Sequence, residues 1–531
     1  MPPDEAFDIP SARCYLVPLV QNQAMTVNSP RVGCLALGLA LLMLGLYLGC
    51  PTKQYYWDGV AFAIDIEKTE TVWSWPLAHP NHLLFTLASN ALHKALLALG
   101  LHTRALFTMQ AISSFFGAAT VGLMFLVLWR HTSHLFLSVT LALGLGFSAT
   151  WWRFATDANA YVVSVFLLVA CYAYLSRVRP PHPVMVASIH AAAMLLHQLS
   201  VFFYPVAAYC LIKRSGGVSR AGMLTVATYT SLAAALVLPV YTLTHAHAAP
   251  DVPFWSWMTY HSPDAMFSFR PLFNAWLTLQ GSVRLFVGGR VRALVPDLLG
   301  VLGLLAFAAS VACLVLVLSS LRRAPKEDVR RLADGNPGQS SPALIWVVSY
   351  VAFLFFWLPQ NTFYRLYYLP PLVVLAASSI MRSGSWLLIR RVLPCLIAAI
   401  AAWNWTFSVY PQSRSEANRP LSFAMRQRQH WPSGTAVAFT AFHPDLWTIS
   451  YFTPQVSWIG IDSPNLTLFK RRYHDVSASG MTLWIEGSVY DALERTDEGR
   501  RFLDVSVDHG GSVVAVEPKH TFRFYRLKPA K

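Results

Sequence analysis

The chain has 531 residues, of which 55% are hydrophobic and 13% charged, and it carries a net charge of +15. That apolar content exceeds what one soluble core can bury, so the composition indicates a polytopic membrane protein and excludes an ordinary soluble enzyme. The Lys and Arg residues fall mainly in short connections and in the C-terminal part, so membrane topology accounts for the charge better than a nucleic-acid partner does. The cysteines (Cys14, Cys34, Cys50, Cys171, Cys210, Cys313 and Cys395) follow no metal-ligand spacing and imply no disulfide framework.

In chain order, residues 1–30 read as a cytoplasmic tail too polar for a signal peptide. The run 32–50 reads as a retained first span, since no convincing small-residue cleavage site accompanies it. Residues 51–104 follow as an external loop. Its stretch YYWDGVAFAIDIEKTETVWSWPLAHPNH (55–82) packs Asp58, Asp65, Glu67, Glu70, His79 and His82 among aromatic residues. The apolar segment 82–101 is read as a helix lying at the interface, because Asn90, His93 and Lys94 suit a surface better than lipid. Further runs near the ~20 residues that a bilayer requires lie at 105–129, 134–152, 159–176, 221–243, 295–321, 342–358, 363–381 and 391–410. The run 184–212 divides into two short helices meeting at His197 and Gln198. The expected fold class is mainly α: a transmembrane bundle of about eleven spans over residues 31–410, with a second external loop at 244–294. Beyond 411 the chain turns polar. GTAVAFTAF, VSWIGID, MTLWIEG, LDVSV, SVVAVE and TFRFYRL read as strands, with helices near 444–452, 465–477 and 487–499, giving a small external α/β domain over 411–531.

Charge fixes the expected orientation. With 82–101 left out of the membrane, Arg130, Arg177, Arg179, Lys213, Arg214, Arg220, the RRAPKEDVRR loop (322–331), Arg382, Arg390 and Arg391 all fall on the N-terminal side, as the positive-inside rule requires. Asp58, Asp65, Glu67, Glu70, Asp157, Asp251, Asp264 and Asp297 then fall together on the outer face. Arg365, in FWLPQNTFYRLYYLPPL, is the Lys or Arg placed inside an expected span, and a charge there marks a candidate functional site.

Three short motifs share the outer face: YYWDG with Asp58, HPNHLLF with His79, Pro80, Asn81 and His82, and WWRFATDANAY with Arg153, Asp157 and Tyr161. Their order over roughly residues 30–410 resembles the GT-C superfamily of integral membrane glycosyltransferases, specifically the bacterial relatives of protein O-mannosyltransferases and lipid A aminoarabinose transferases. HPNH stands here where an HPP-type turn is commoner. The resemblance implies a polyprenyl-phosphate sugar donor, a glycan, lipid or protein acceptor, and a place in the bacterial inner membrane with the N-terminus cytoplasmic and the C-terminus external.

The chemistry of such a donor demands polar groups at the height of the interface, where the lipid ends and the anomeric carbon begins. An inverting transfer needs a carboxylate to take the acceptor proton and cations to stabilise the departing phosphate. Asp58 and Asp157 are the candidate catalytic acids. Arg153 and Arg365 are candidates for the phosphate, which a planar guanidinium can bind through two oxygens. His79, His82 and Tyr161 complete the candidate substrate-binding set, the imidazoles donating to phosphate or orienting Asp58. Structural roles compete with each: Asp58 and Asp157 also suit N-caps of the helices that follow them, and Arg365 suits snorkelling to the interface. No cofactor is required. A divalent metal on Asp65 and Glu67 is not favoured, because positions two apart diverge on a helix. Trp73, Trp75, Trp255 and Trp257 suit an aromatic belt or sugar stacking. A lipid-linked-glycan ligase or polymerase is the alternative function, with a secondary transporter or a scaffold for the tail domain behind it.

The charge pattern yields a direct check. Cysteines placed at Ala98 and in the C-terminal domain should react from outside with an impermeant thiol reagent, and one at Gly335 should not. Outside labelling at 335 would overturn the orientation.

Overall fold

The structure, a computed structural model, describes residues 30–176, 181–259, 266–321, 340–383, 388–440, 444–461, 465–508, 510, 513–517 and 520–529. The expected polar tail, the basic loop at 322–331, Arg177, Arg179 and Asp264 lie outside the described residues.

The bundle begins with α1 (Pro30–Gly49), α2 (Trp57–Lys68), α3 (Leu83–Ala98) and the long α4 (Ala105–Thr132). It continues through α5 (Leu135–Gly146), α6 (Ala149–Ala155), α7 (Tyr161–Leu175), α8 (Pro183–Leu196), α9 (Tyr204–Arg214), α10 (Arg220–Ala248), α11 (Phe254–Met258) and α12 (Pro271–Phe286). It closes with α13 (Leu298–Leu321), α14 (Ser340–Phe356), α15 (Leu369–Ser383), α16 (Leu393–Asn404) and α17 (Tyr410–Gln412). The C-terminal part runs α18 (Arg419–Gln427), β1 (Thr435–Thr440), α19 (Pro444–Phe452), β2 (Ser457–Ile461), α20 (Leu466–Ala478), β3 (Thr482–Glu486), α21 (Gly487–Glu494), α22 (Asp497–Ser506), β4 (Val513–Glu517) and β5 (His520–Arg526).

Among the described residues, 5 helices are long and apolar enough to cross a bilayer, or up to 6 when the bent pair α5–α6 is taken as one span. Several other expected spans form as shorter apolar helices, among them α7, α8 and α14. The count of about eleven is therefore finer than helix length alone supports. Two of the interruptions have local causes. At the α5–α6 bend of 65°, Ser148 turns extended and its hydroxyl donates to the Leu145 carbonyl. At the end of α8, His197 is extended (φ −161°, ψ 126°) and its Nδ1 accepts the Leu199 N–H at 3.1 Å. The chain breaks where HQLS suggested it would. The stretch 55–101 likewise forms two helices, α2 and α3.

The basic helix ends gather at one end of the bundle. His131, in the last turn of α4 beside Arg130, bonds Ser378 Oγ of α15 at 2.6 Å, and Arg390 lines a cleft with Trp129 and His134. The start of α4 lies at the other end, next to α2 and α3. A helix of this length separates the two ends by roughly 40 Å at 1.5 Å per residue.

A large apolar core joins α1, α4, α5, α7, α8 and α14–α15, with Met43, Tyr47, Phe125, Trp151 and Tyr350 fully buried. A second core packs α2, α3 and the start of α4 around Val60, Phe85, Leu106 and Met109. Val60, Ala63 and Ile66 put one face of α2 into it at helical spacing, which is the sequence reason that this segment is a helix.

Beyond the bundle, a mixed sheet runs in the order β2-β1-β3-β5-β4. β1 pairs in parallel with β2 and β3 (Ala436 opposite Ser457, Thr435 opposite Thr482), and β5 pairs antiparallel with β3 and β4 (Trp484 opposite Arg526, Val513 opposite Phe524). The tail is thus the α/β unit expected, with one correction. LDVSV was expected as a strand and instead forms the end of α22, leaving a single bridge from Val507 to Leu527. Thr496 caps that helix by accepting the Gly499 N–H, and Gly499, Leu503 and Ser506, four and three residues apart, are buried on one face, so the 3.6-residue period prevails over the strand-like alternation until Val507, which is extended.

Gly59 on α2 approaches the turn before α7 so closely that a Cβ there would lie 2.4 Å from the Ala158 carbonyl oxygen, which is backbone and cannot yield. A Cβ at Gly38 on α1 would meet nothing within 4 Å. Gly59→Ala should therefore destabilise the protein by about 1–3 kcal/mol while Gly38→Ala leaves it unchanged or slightly more stable. Thermal unfolding in detergent checks the pair; equal melting temperatures would contradict the close packing of α2.

Candidate active site

The site is built from the segment entering α2, the turn before α7, the HPNH turn, the break after α8 and the short 3₁₀ segment Phe363–Tyr368. Tyr56 is the N-cap residue of α2 and makes no side-chain cap bond, which places Asp58 inside the first turn. The capping role open to Asp58 is therefore not the one it has. Asp157 does not cap α7 either: Asn159 Oδ1 accepts the N–H groups of Tyr161 at 3.1 Å and Val162 at 3.3 Å. Asp157 is left to reach across the chain. Its Oδ2 accepts the Tyr56 N–H at 2.9 Å and its Oδ1 accepts the Ala158 N–H at 2.8 Å.

The HPNH turn is held by its backbone. The Pro80 carbonyl accepts from Gln198 Nε2 at 3.1 Å and from the Tyr241 hydroxyl at 3.0 Å, and the His79 carbonyl accepts the His82 N–H. This brings the buried His82 ring to 4.7 Å from His197 and 5.8 Å from Tyr161, with His79 6.1 Å from His82. Tyr161 packs in turn on Tyr56, Phe363 and Tyr364, at 6.2, 5.3 and 5.7 Å. These rings pack together beside the first turn of α2. The Asp58 carboxylate lies within electrostatic reach of the phenols of Tyr56, Tyr161 and Tyr364.

Asp58 has no hydrogen bond or ion pair among the described residues, and burial pushes its carboxyl up to about 7. Burial also raises Asp157 to about 7, against the opposing pull of the Arg153 charge and the N–H groups of Ala158 and Tyr56. Arg153, on α6, is half-buried and lies 5.8 Å over the Phe154 ring, and its Nε has no hydrogen-bond partner among the described residues. The arrangement thus offers a proton acceptor poised near neutral pH, a cation with a donor to spare, and imidazoles in an aromatic wall.

Arg365 is the sequence candidate that the structure turns elsewhere. It is 1% exposed, so it does not snorkel. Its guanidinium donates to the Leu277 carbonyl at 3.3 Å, the Pro359 carbonyl at 2.5 Å and the Tyr368 hydroxyl at 2.8 Å. It packs so tightly on α12 that a Cβ at Gly281 would lie 2.2 Å from Arg365 Nε. Its donors hold α12 to the Phe363–Tyr368 segment, and the structure gives it no contact with Asp58, Asp157, Arg153, His79 or His82. Asp58, Asp157, Arg153, His79, His82 and Tyr161 do converge. His197, Tyr56 and Tyr364 join them and were not singled out beforehand; the helix break at His197 and the aromatic runs flanking Asp58 and Arg365 were the signals available. Among the described residues, no group of three or more His, Cys, Asp or Glu is placed to hold a metal ion. Glu67, half of the Asp65–Glu67 spacing, is bound instead by Arg104, Tyr451 and the Ala105 N–H.

The order of the bundle helices and the appended domain define the class first: the chain has the GT-C fold. The particular likeness is to ArnT from Cupriavidus metallidurans. Its crystal structure bound to undecaprenyl phosphate aligns with a TM-score of 0.57 over 93% of this chain and 97% of that one, at 13% identity. The apo structure of the same protein gives 0.56 at 12% identity over the same shares. No protein-family model and no curated protein sequence matches.

Asp157 makes stability depend on pH in a calculable direction. An unfolded Asp ionises near 3.8, whereas folded Asp157 keeps its proton up to about 7. Raising the pH between those values therefore removes stability, and above about 7 the loss is constant. Asp157→Asn abolishes this contribution, so its stability should fall less steeply than wild type between pH 4 and 7, whatever the fixed offset from the altered hydrogen bonds. An unchanged slope in denaturant titrations across that range would contradict the assignment.

Proposed function

We propose that the chain is a membrane glycosyltransferase that moves a hexose-type sugar from a polyprenyl-phosphate donor to an acceptor hydroxyl at the outer face of a bacterial inner membrane. The fold supports a lipid-linked donor, since the ArnT that it resembles was crystallised with undecaprenyl phosphate. Asp58 carries the reading: a half-buried carboxylate with no hydrogen bond or ion pair among the described residues, poised near neutral pH at the end of the bundle remote from the basic helix ends. The transfer balances as a single displacement. The acceptor oxygen bonds to the anomeric carbon while the bond from that carbon to the phosphate oxygen breaks. The acceptor proton passes to Asp58, and the electron pair leaves with polyprenyl phosphate, whose charge Arg153 and the imidazoles of His79 and His82 stabilise. Asp157 holds the entry to α2 against the turn that bears Arg153.

In this reading the basic ends of α4, α9 and α15 face the cytoplasm, the bundle makes about eleven crossings, and the C-terminal α/β unit stands outside with the site. The acceptor is a glycan, lipid or protein hydroxyl.

Purified protein in nanodiscs, given radiolabelled polyprenyl-phosphate sugars and membrane acceptors, should transfer label out of the lipid. Asp58→Asn keeps the shape and removes the base, so turnover should drop by about two or more orders of magnitude with the unfolding temperature retained. Near-normal turnover of the variant would remove Asp58 from the chemistry.

A further inference from the structure

The helix that presents Asp58 is too short to hold its own place. α2 spans 12 residues, a length at which an isolated helix is marginal, so its place is set by the burial of Val60, Ala63 and Ile66 and by what grips its two ends. The front is held by Asp157 through the Tyr56 N–H. The back is held by a different device, to which the transfer chemistry assigns no role.

Glu67, in the last turn of α2, gathers three separate parts of the chain onto one carboxylate. Arg104 Nε donates to both of its oxygens, at 2.8 and 3.0 Å, and the Ala105 N–H, at the start of α4, donates at 2.9 Å. From the C-terminal domain, the Tyr451 hydroxyl donates at 2.6 Å while accepting the Leu106 N–H at 3.1 Å. Arg104 returns the grip on α19 by donating to the Tyr451 carbonyl at 2.7 Å and lying 3.9 Å over its ring. Tyr451 is 3% exposed, so its bonds to Glu67 and Leu106 are sheltered, whereas the Arg104 and Glu67 side chains keep 32% and 27% of their exposure and their ion pair is open to water. The same short helix also touches the front of α2: Trp447 stacks on Trp57 at 6.3 Å and 8°, and Phe452 on Tyr55 at 5.5 Å. α4, 28 residues long and packed along the bundle core, is the helix against which Glu67 fixes α2.

We propose that Tyr451 is a positioning residue for sugar transfer: from the C-terminal domain it clamps Glu67 at the far end of α2, and so sets where Asp58 presents its carboxylate. This rests on the reading of Asp58 as the base. The C-terminal domain is then part of the catalytic machinery rather than an appendage. Asp58 sits about nine residues, roughly 13 Å, up the helix from Glu67. A pivot at the released end would misplace the carboxylate by about an ångström, enough to lose one to two orders of magnitude in rate.

A clamp and a merely stabilising contact predict different results for Tyr451→Phe, which keeps the ring and removes the hydroxyl. The groups facing Asp58 are Tyr56 beside it, Tyr161 from α7 and Tyr364 from the Phe363–Tyr368 segment; those facing Glu67 are Arg104, Tyr451 and His93. No charged group other than Asp58 lies in the first set, so its titration reports water reaching it. In full-length protein in nanodiscs, with a polyprenyl-phosphate sugar as donor, the clamp predicts kcat reduced about tenfold or more with the donor KM within twofold. It predicts the acid limb of the pH–rate profile moving to lower pH as Asp58 is hydrated, and faster amide exchange confined to α2. Arg104→Lys, which keeps the ion pair and loses the bond to the Tyr451 carbonyl, should show the same signature more weakly. Unchanged exchange in α2 and an unmoved acid limb in both variants, with activity falling only as folded protein falls, would overturn the clamp. If wild type transfers no sugar, the reading of the site fails, while the exchange data still decide whether Tyr451 holds α2.

Discussion

One buried carboxylate joins the parts of this molecule that chemistry needs together. Asp157 accepts the Tyr56 N–H from the segment entering α2 and the Ala158 N–H from its own turn, with no exposure to solvent. Each such hydrogen bond contributes about 0.5–1.5 kcal/mol, and leaving either N–H buried without a partner would cost about 1–3 kcal/mol. The bond crosses 101 residues of sequence. It brings the first turn of α2 against the turn that carries Arg153 and Tyr161, and Gly59 permits the contact by having no side chain. Without that junction, the helix bearing Asp58 and the helix bearing Arg153 would lose their direct backbone tie.

Around the junction the protein divides labour among similar groups. Asn159 caps α7, which frees Asp157 for the longer reach; Asp157 fixes the backbone, which leaves Asp58 without a partner and so available to a substrate proton. Arg365 and Arg153 show the same division. The first commits both terminal nitrogens to carbonyls and a phenol that hold α12, and the second, half-buried beside Asp157, makes no such tie; the Nε of each has no hydrogen-bond partner among the described residues. The proposed transfer uses Asp58 and Arg153, while Asp157, Asn159 and Arg365 hold the backbone in place.

Much of this was legible in the sequence because it rests on local pattern. Apolar runs located the bundle helices, the loop 55–101 resolved into two helices, and the break at His197 was visible in a polar, Pro-flanked interruption. The shared placement of Asp58, His79, His82, Arg153, Asp157 and Tyr161 followed from charge asymmetry and motif order. What was not legible depends on partners remote in sequence. Arg365 looked like a free cation because the carbonyl of Leu277, 88 residues away, leaves no trace in residue type. Glu67 and Tyr451 are separated by 384 residues, and nothing near either one announces the other. LDVSV misled because five residues can satisfy both a strand and a helix period until a core chooses between them.

The account turns on where the donor phosphate sits, and a structure of the protein in nanodiscs loaded with undecaprenyl phosphate, determined by electron cryomicroscopy, measures that directly. The phosphate should lie within hydrogen-bond reach of Arg153, on the same side of the bundle as Asp58, His79 and His82, with the prenyl chain leaving between helices into the bilayer. Phosphate density at the opposite end of α4, or anywhere out of reach of Arg153, would contradict it.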